Sequence, residues 1–393
     1  MTRWLTQPLP DETALFAPKR SGWLGADAAC SIELNSTHLL WIWGDTLLGT
    51  STASTRDITS FVHGSIALQK REAGAQPTFF ARRSHGAPAP NGFFAPNTSD
   101  AYYWTVNGAS LAPASPAVLI LAQTMSTTGW LEQLGTDAVL VHPEADTPPD
   151  EWRYETSRIA ASSSSVSLNS GVHVAGGFVH LLGGRAEKPF GPITQMILAR
   201  IPVAALLNFE WEAMRFWGDS GWAADASAAA TLFRGRYSEG SLGYSAALAS
   251  YYFVGLQAYE PNVTLYTAAK LQGPWAAETL YTLPALPPNA TMAYAAKSHP
   301  ALREIVAPDA AFLVTYNTNG APASLPYSID VYHPLFFAAR VDCSQGGCGG
   351  PLAAALAAAG GATLLLVVVA AAAVWHRKRV QRAQAALLEV GPG

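Results

Sequence analysis

The sequence predicts an all-β protein that folds as a β-propeller and continues into one C-terminal transmembrane helix. Three observations predict this fold: a composition suited to short strands and turns, a recurring hairpin-like unit, and an uncharged segment near the C-terminus. The 393 residues are 49% hydrophobic, which is enough for the core of one large domain or two ordinary ones. The 12 Trp, 14 Tyr and 15 Phe, together with 33 Gly and 27 Pro, favour strands and turns over long helices.

The recurring unit is a short strand, a turn, and an aromatic or aliphatic strand that ends on a small or polar residue. Four clear copies occupy residues 26–45, 169–185, 239–258 and 296–317. A fifth, weaker copy occupies residues 93–108. Units of this kind, each able to supply a small antiparallel sheet, are typical of a β-propeller. The serine-rich segment 161–170, between two units, is predicted to be an exposed loop.

The uncharged segment, LAAALAAAGGATLLLVVVAAAAVW, predicts a transmembrane helix over residues 352–375. About 20 residues in a helix cross a hydrocarbon core, and this segment is longer than that. The alternative is a buried alanine-rich helix of a soluble protein, but the basic sequence HRKRVQR that follows favours a membrane span. The predicted domains are a lead-in (1–21), the propeller (22–342), a Gly-rich linker (343–351), the transmembrane helix (352–375) and a basic cytoplasmic tail (376–393).

This order of apolar and basic segments predicts a single-pass membrane protein anchored in the lipid bilayer by its C-terminal helix. The propeller would be extracellular or lumenal and the C-terminus cytoplasmic. Four N-glycosylation sequons precede the segment and agree with this side, at Asn35, Asn97, Asn262 and Asn289. The first sixteen residues contain no apolar region of the signal-peptide type. Either the true start lies upstream or the protein is tail-anchored with a cytosolic propeller, and the sequons favour the first.

The charge of the chain argues against a nucleic-acid partner. The formal net charge is −4, and a cluster of basic residues lies near the C-terminus, so the rest of the chain is more acidic than the total indicates. The nine histidines are scattered and no metal motif of recognised spacing occurs. The sequence therefore predicts no metal site and no cofactor.

Two aspartates in the first unit are the main candidates for chemistry. If the hairpin over residues 26–45 has its loop at 35–37, the numbers of paired positions sum to 72 and Asp27 lies opposite Asp45. Opposite residues on an antiparallel ladder have Cβ atoms ~4.5–5.5 Å apart, and like charges there are destabilising unless the pair is used. Paired carboxylates whose pKa values are separated by repulsion supply the acid and the base of glycoside cleavage.

Glu239 is a third candidate acid. It opens the unit over residues 239–258 as Asp27 opens the first unit, so a propeller would place both at the same mouth of its central channel. The alternative for Asp27 and Asp45 is a structural role, because an aspartate between Gly and Thr readily forms an Asx turn. An error of one residue in the register would also separate the two aspartates.

The segments that carry these acids resemble the DUF4185 family of five-bladed propellers. The resemblance runs from about Gly22 to Val341. It rests on GWLGADAACSIEL with LLWIWGDTLLG, HGSIAL, FFAPNTSDAYYWTVNG, VHVAGGFVHLLGGR, YSEGSLGYSAAL, LYTAAKLQGPW, and KSHPAL with FLVTYN. The family is similar in architecture to the furanosidase propellers, and some bacterial members are implied to be endo-acting arabinanases that cut D-arabinofuranose polymers. The predicted membrane anchor and the Ala-rich composition depart from a secreted bacterial depolymerase.

The resemblance implies that Asp27 and Asp45 are the catalytic carboxylates, one as general base or nucleophile and the other as general acid. Glu239 would be a third member, either the acid or a modulator of pKa.

Three further residues are candidates for substrate binding. His299 could bind sugar hydroxyls or be a buried structural histidine. Trp104 and Tyr103 could stack on sugar rings or be core aromatic residues.

The sequence therefore predicts a membrane-anchored glycoside hydrolase that cleaves furanose-containing glycans with paired carboxylates. The alternative is a non-catalytic carbohydrate-binding or adhesion propeller at the membrane surface, in which the same acids hydrogen-bond sugar hydroxyls. A purely structural propeller would neither bind nor cleave glycan.

Overall fold

The computed structural model describes residues 2–81, 92–129, 131–144, 147–160, 162–163, 165–186, 193–342 and 344. The predicted linker, transmembrane helix and basic tail lie outside the described residues, apart from Ser344. Within the described ranges, no helix has the length and apolar character needed to cross a bilayer.

The chain divides into two compact units. The first comprises residues 1–244 and 250–341 and contains the propeller. The second comprises residues 245–249, a turn between two strands, and residues 342–393, of which Asp342 and Ser344 are described.

The N-terminal part of the chain builds the first blade and an additional sheet. Its elements are β1 (Trp4–Pro8), α1 (Pro10–Leu15), β2 (Ser21–Ala26), β3 (Cys30–Glu33), β4 (His38–Trp43), β5 (Thr46–Ser51), β6 (Arg56–Val62), β7 (Ser65–Lys70) and β8 (Thr78–Phe80). Strands β3, β4, β7 and β8 form the first blade in that order, and β2, β5 and β6 form a separate three-stranded sheet.

The second and third blades follow in sequence. The second contains β9 (Ala101–Ser110), β10 (Val118–Ser126), β11 (Gln133–His142) and β12 (Arg153–Arg158). The third contains β13 (Val166–Ala175), β14 (Phe178–Ala186), β15 (Ile193–Pro202), helix α2 (Val203–Leu206), β16 (Arg215–Gly218), β17 (Gly221–Ala223) and β18 (Phe233–Arg234). Short 3₁₀ helices occupy Pro149–Glu151, Trp211–Ala213 and Ala226–Ala228.

The fourth and fifth blades complete the ring. The fourth contains β19 (Gly240–Ser245), β20 (Ser250–Leu256), β21 (Asn262–Ala268) and β22 (Ala276–Thr282). The fifth contains β23 (Ala290–Ser298), helix α3 (Pro300–Val306), β24 (Phe312–Gly320), a 3₁₀ helix (Pro322–Tyr327) and β25 (Leu335–Val341). Strand β1 pairs with β25, so the segment predicted as a lead-in supplies the outer strand of the last blade.

Alternation along the strands builds the cores between blades. In β4 the side chains of Leu40 and Ile42 belong to one hydrophobic cluster, while Leu39, Trp41 and Trp43 belong to another. Successive strand residues point to opposite faces, so one strand fills both clusters. This explains why the run LLWIW is almost entirely apolar.

Hydrogen bonds between side chain and backbone also join neighbouring parts of the ring, and all but the part-buried bond at Ser241 are buried. The five bonds are Thr105 Oγ1 to Trp43 O (2.5 Å), Asn107 Nδ2 to Asn169 O (2.6 Å), Ser170 Oγ to Tyr237 O (2.9 Å), Ser298 N to Ser241 Oγ (2.9 Å) and Asn317 Nδ2 to Ala26 O (2.9 Å). A buried carbonyl that loses its donor costs ~1–3 kcal/mol, so these polar residues specify how the blades meet.

Buried polar side chains of this kind explain an error in the sequence reading. Residues 166–170 of the predicted exposed loop belong to the inner strand β13, and Ser167, Asn169 and Ser170 are buried. A polar composition predicts contact with solvent, but these side chains face the interior, where Ser167 accepts from Gln133 of the second blade and Ser170 donates to Tyr237 O.

Candidate active site

The two aspartates of the first hairpin lie where it passes from the blade into the additional sheet. The pair Cys30 and Ile42 on one side sums to 72, and the pair Ala26 and Thr46 of β2 and β5 on the other side has the same sum. Between them, Asp27 N donates to Asp45 O at 3.2 Å and Gly44 N donates to Asp27 O at 3.1 Å. The predicted register is therefore confirmed over β3 and β4, and the backbone bonds place Asp27 and Asp45 next to each other where the two sheets meet.

Gly44 and Ala28 shape the backbone around this pair. A Cβ on Gly44 would lie 2.6 Å from Oδ1 of Asp27, so only glycine lets the carboxyl group lie against this strand. Ala28 adopts a left-handed φ of 56°, which is costly for a residue with a Cβ. Strained backbone of this kind clusters at functional sites, and here it borders Asp27 directly.

Asp27 lies deep in the site, with a small part of its surface open to solvent. Its Oδ2 accepts hydrogen bonds from the hydroxyl groups of Tyr294 (2.8 Å) and Tyr332 (3.5 Å). Burial, followed by the negative charges of Asp45 and Glu239, raises the pKa of Asp27 well above its ordinary value. Desolvation and the same carboxyl group raise the pKa of both tyrosines, so the phenols act as hydrogen-bond donors.

Asp45 has a different environment. Its Oδ1 accepts a hydrogen bond from Trp104 Nε1 at 2.7 Å and lies 2.7 Å from His63 Nδ1. The His63 nitrogen is assigned as the donor, because an ionised carboxylate can only accept. The ring of Tyr102 stacks on His63 with centroids 3.8 Å apart. Two N–H groups therefore converge on one carboxyl oxygen of Asp45 and fix its orientation.

Glu239 joins the same region through a buried lysine. Lys297 Nζ lies 2.6 Å from Glu239 Oε2, in an ionic contact rather than a well-directed hydrogen bond. The amino group also donates to Ala28 O at 2.8 Å and to Val106 O. Lys297 is fully buried and the Glu239 side chain is 11% exposed. The three acids thus lie in one region, together with a buried cation, Lys297, that the hairpin pattern does not predict.

A β-bulge in β23 brings this lysine inward. The pairing of β23 with β24 shifts between Tyr294 and Lys297, and Ala295 within the shift has a left-handed φ of 55°. Bulges re-aim side chains next to active sites. One irregularity therefore lies between the phenol that bonds Asp27 and the amino group that pairs with Glu239.

Two predicted substrate-binding residues lie away from the acids. His299 is fully buried between Ser31 Oγ (2.9 Å) and Thr315 Oγ1 (2.7 Å), and burial lowers its pKa to about 3. It is a core histidine, because both ring nitrogens already have partners. Tyr103 is buried and donates to Asp137 at 2.6 Å. It lies on the opposite face of β9 from Trp104, since neighbouring strand residues alternate.

The residues that contact the acids come from parts of the chain outside the first hairpin. His63 and Tyr102 flank Asp45, while Tyr294 and Tyr332 hold Asp27. A lone lysine within the apolar run of β23 was the one signal that could have identified Lys297.

Two further features delimit the site. A cavity of about 640 Å³ lies at the other ends of the inner strands, lined by Ser31, Asn107, His173, Tyr244 and Tyr252 among others, and none of the three acids lines it. Among the residues that the structure describes, no group of three or more His, Cys, Asp or Glu is placed to hold a metal ion.

The sequence matches the family described as "Domain of unknown function (DUF5005)" over residues 13–341, and the chain belongs to this family. The resemblance to DUF4185 is therefore wrong. The furanose specificity that it implied loses its basis.

Solved structures place the fold among the propellers. A candidate hydrolase from Bacteroides ovatus ATCC 8483 has a TM-score of 0.66 and 16% identity, over 86% of this chain and 90% of that one. A GH43_1 enzyme from Xanthomonas citri has a TM-score of 0.47 and 12% identity, over 85% and 93%. An exo-β-1,3-galactanase from Phanerochaete chrysosporium has a TM-score of 0.43 and 12% identity, over 84% and 65%. The first similarity supports the all-β propeller fold, and the other two are too weak to add to it. No curated protein matches the chain.

Proposed function

We propose that this protein is a glycoside hydrolase whose acid–base pair is Asp27 and Asp45. One observation carries the proposal: two carboxyl groups lie next to each other in different environments, Asp27 held by two phenols and Asp45 by two ring N–H groups. Burial and the neighbouring charges raise the pKa of Asp27, whereas Asp45 lies in hydrogen-bond contact with Trp104 Nε1 and His63 Nδ1. Such a pair supplies an acid and a base at one pH, as glycoside cleavage requires.

In this proposal the protonated Asp27 is the general acid. It gives its proton to the glycosidic oxygen as the bond to the anomeric carbon breaks, and the phenols of Tyr294 and Tyr332 stabilise the carboxylate that results. Asp45 then either takes a proton from the attacking water or attacks the anomeric carbon itself. His63 and Trp104 orient Asp45 for either role.

Glu239 and Lys297 set the charge around Asp27. The negative charge of Glu239 raises the pKa of Asp27 and the positive charge of Lys297 lowers it. Because the two are joined, the acidity of Asp27 depends on the balance between them. Glu239 is thus a modulator of pKa in this proposal.

The test is hydrolysis of a glycan panel by the full chain. The panel contains arabinan, galactofuranan, xylan and β-1,3-galactan, so that furanose and pyranose polymers are compared on equal terms. We expect reducing ends to be released from at least one polymer, and a loss of ~10²–10⁴-fold in Asp27→Asn and in Asp45→Asn. Asp57→Asn, an exposed aspartate of β6, is the matched control and should keep full activity. Full activity in both site variants would refute the proposal.

A second candidate is a non-catalytic glycan-binding propeller. It is favoured by the contacts that already occupy the acids: Asp45 accepts from two ring N–H groups and Glu239 is paired with Lys297. This function predicts that wild type and both Asp→Asn variants bind glycan and that none of them releases product.

We also propose that the propeller is extracellular or lumenal and held at the membrane by residues 352–375. The apolar segment with its basic flank supports this, and Asn35, Asn97 and Asn289 are exposed for modification. The remaining sequon, at Asn262, is less accessible, because its middle residue Val263 is fully buried. A glycosidase-sensitive mass on the protein expressed in a glycosylating cell is the expected result. Unmodified sequons would favour the tail-anchored, cytosolic alternative.

A further inference from the structure

A row of four rings leads from solvent to the carboxylate of Asp45. Phe61, at the outer end, is 48% exposed, and its ring meets His63 edge-on with centroids 5.3 Å apart. His63 stacks on Tyr102 at 3.8 Å, and Tyr102 meets Trp104 at 5.9 Å. His63 and Trp104 both contact Asp45 Oδ1.

The additional three-stranded sheet positions the outer ring. Strand β5 begins immediately after Asp45, and its Leu47 pairs with Phe61 on β6. Leu47 is 2% exposed, so the apolar face of the sheet is covered at β5 and open at Phe61. A single exposed aromatic residue is ordinary on a protein surface. Here the exposed ring continues into an ordered stack that ends at a candidate catalytic carboxylate.

Aromatic rings and sugars are complementary. The C–H bonds on one face of a sugar carry small positive charge and meet the negative face of an aromatic ring, while the hydroxyl groups at the edge stay in water. The open end of this row of rings, at Phe61, therefore presents aromatic surface for a sugar residue near Asp45.

The charges of the site select among sugars. With Asp27 protonated, the charges of Asp45 and Glu239 are matched in sum by those of Lys297 and Arg56, but the carboxyl group of Asp45 is the one that contacts the rings. The nearby Arg56 is buried and donates five hydrogen bonds to backbone carbonyl groups. Neither of these two cations is free to pair with an acidic sugar, so a uronate would meet repulsion.

We infer that Phe61, His63 and Tyr102 form a stacking subsite for a neutral sugar residue beside the bond that Asp27 and Asp45 cleave. This inference rests on the proposed function and adds to it the place and the charge class of the substrate. It assigns Phe61 and Tyr102 to binding rather than to chemistry.

The test is binding of trisaccharides to the full chain by titration calorimetry. The probes are arabinotriose, xylotriose and β-1,3-galactotriose as neutral sugars and trigalacturonic acid as the acidic one. We expect Phe61→Ala and Tyr102→Ala each to raise Kd for a neutral probe about 3- to 10-fold, while Phe61→Tyr and Tyr102→Phe stay close to wild type. Tyr259→Ala, which removes a ring that is 77% exposed, is the matched control. Where a probe is cleaved, Phe61→Ala should raise KM and leave kcat nearly unchanged, because the sugar on this outer ring is held equally in ground and transition states.

The outcomes separate the inference from the proposed function. Ring-dependent binding without product release supports the subsite and overturns the hydrolase. Hydrolysis with unchanged Kd and KM in both alanine variants overturns the subsite alone. Trigalacturonic acid bound as tightly as the neutral probes overturns the charge selection, and wild-type protein that binds none of the four overturns the subsite together with the proposed function.

Discussion

Replacing Lys297 by methionine should destabilise the protein by about 5 kcal/mol, a large fraction of the ~5–15 kcal/mol that stabilises a typical domain. The amino group belongs to the fifth blade and contacts Ala28 O of the first blade, Val106 O of the second and Glu239 at the start of the fourth. Breaking a buried ion pair costs ~3–5 kcal/mol, and each carbonyl left without a donor costs ~1–3 kcal/mol. Methionine keeps the buried stem, so the loss reports the amino group and not a cavity.

Glu239→Gln in the Lys297→Met background supplies the control. The second substitution removes the unpaired charge, so we expect the double variant to regain about 2 kcal/mol over the single one. Urea-induced unfolding of wild type, both single variants and the double variant measures these differences. A loss below about 1 kcal/mol in Lys297→Met, or strictly additive effects in the double variant, would show that the amino group does not hold Glu239 in the folded protein.

Three more predictions concern buried charge. Asp27→Asn should make the unfolding free energy less dependent on pH. The pKa of Asp27 is raised in the folded protein, so the stability contributed by its protonated form is fully present below about pH 4 and is lost as pH rises toward the folded-state pKa. The variant should therefore lose less unfolding free energy than wild type between pH 4 and 8. A steeper loss in the variant, measured by urea unfolding at each pH, would contradict this. His299→Gln should reduce the loss of stability in acid. The pKa of His299 is lowered to about 3, so the neutral side chain contributes stability that is present above about pH 6.5 and is lost as pH falls toward 3. The thermal unfolding temperature of the variant should therefore shift less than that of wild type over this range, and identical profiles would count against a neutral buried His299. Arg56→Met should lose about 4 kcal/mol of unfolding free energy, because five backbone carbonyl groups lose their donor. Arg56→Lys should recover little of this loss, because an ammonium group cannot reproduce the planar guanidinium. A lysine variant that is as stable as wild type in calorimetry would contradict this prediction.

The first hairpin could be predicted from sequence because its turn fixes its register. Asn35 Oδ1 accepts hydrogen bonds from the backbone N–H groups of Thr37 and His38, which forms a local Asx turn. Once that turn is set, the period of two places Asp27 opposite Asp45. Local chemistry was sufficient here, because the turn and the alternation together determine the pairing over β3 and β4.

The surroundings of the acids could not be predicted in this way. Tyr294 and Lys297 reach the site through a bulge, and the direction of a bulge depends on pairing with a distant strand. Tyr332 comes from the loop before β25, far along the chain from Asp27. Such contacts depend on how the ring closes, which a hairpin pattern does not encode.

Single-residue alternation accounts for the mixed outcome on β9. Tyr103 and Trp104 are both aromatic and both predicted to bind sugar, yet as neighbouring strand residues they point to opposite faces of β9. Trp104 bonds Asp45 and Tyr103 bonds Asp137. The same rule would have indicated Tyr102, two residues before Trp104, as its companion on the face of the site.

The most direct measurement of the paired-carboxylate claim is a ¹³C NMR titration of the full chain with labelled aspartate carboxyl groups. We predict that Asp27 titrates well above the ordinary aspartate range and that its pKa falls in Asp45→Asn and in Glu239→Gln, since both neighbouring charges raise it. An Asp27 carboxyl group that titrates near 4, unmoved by either substitution, would mean that the two aspartates do not share a site.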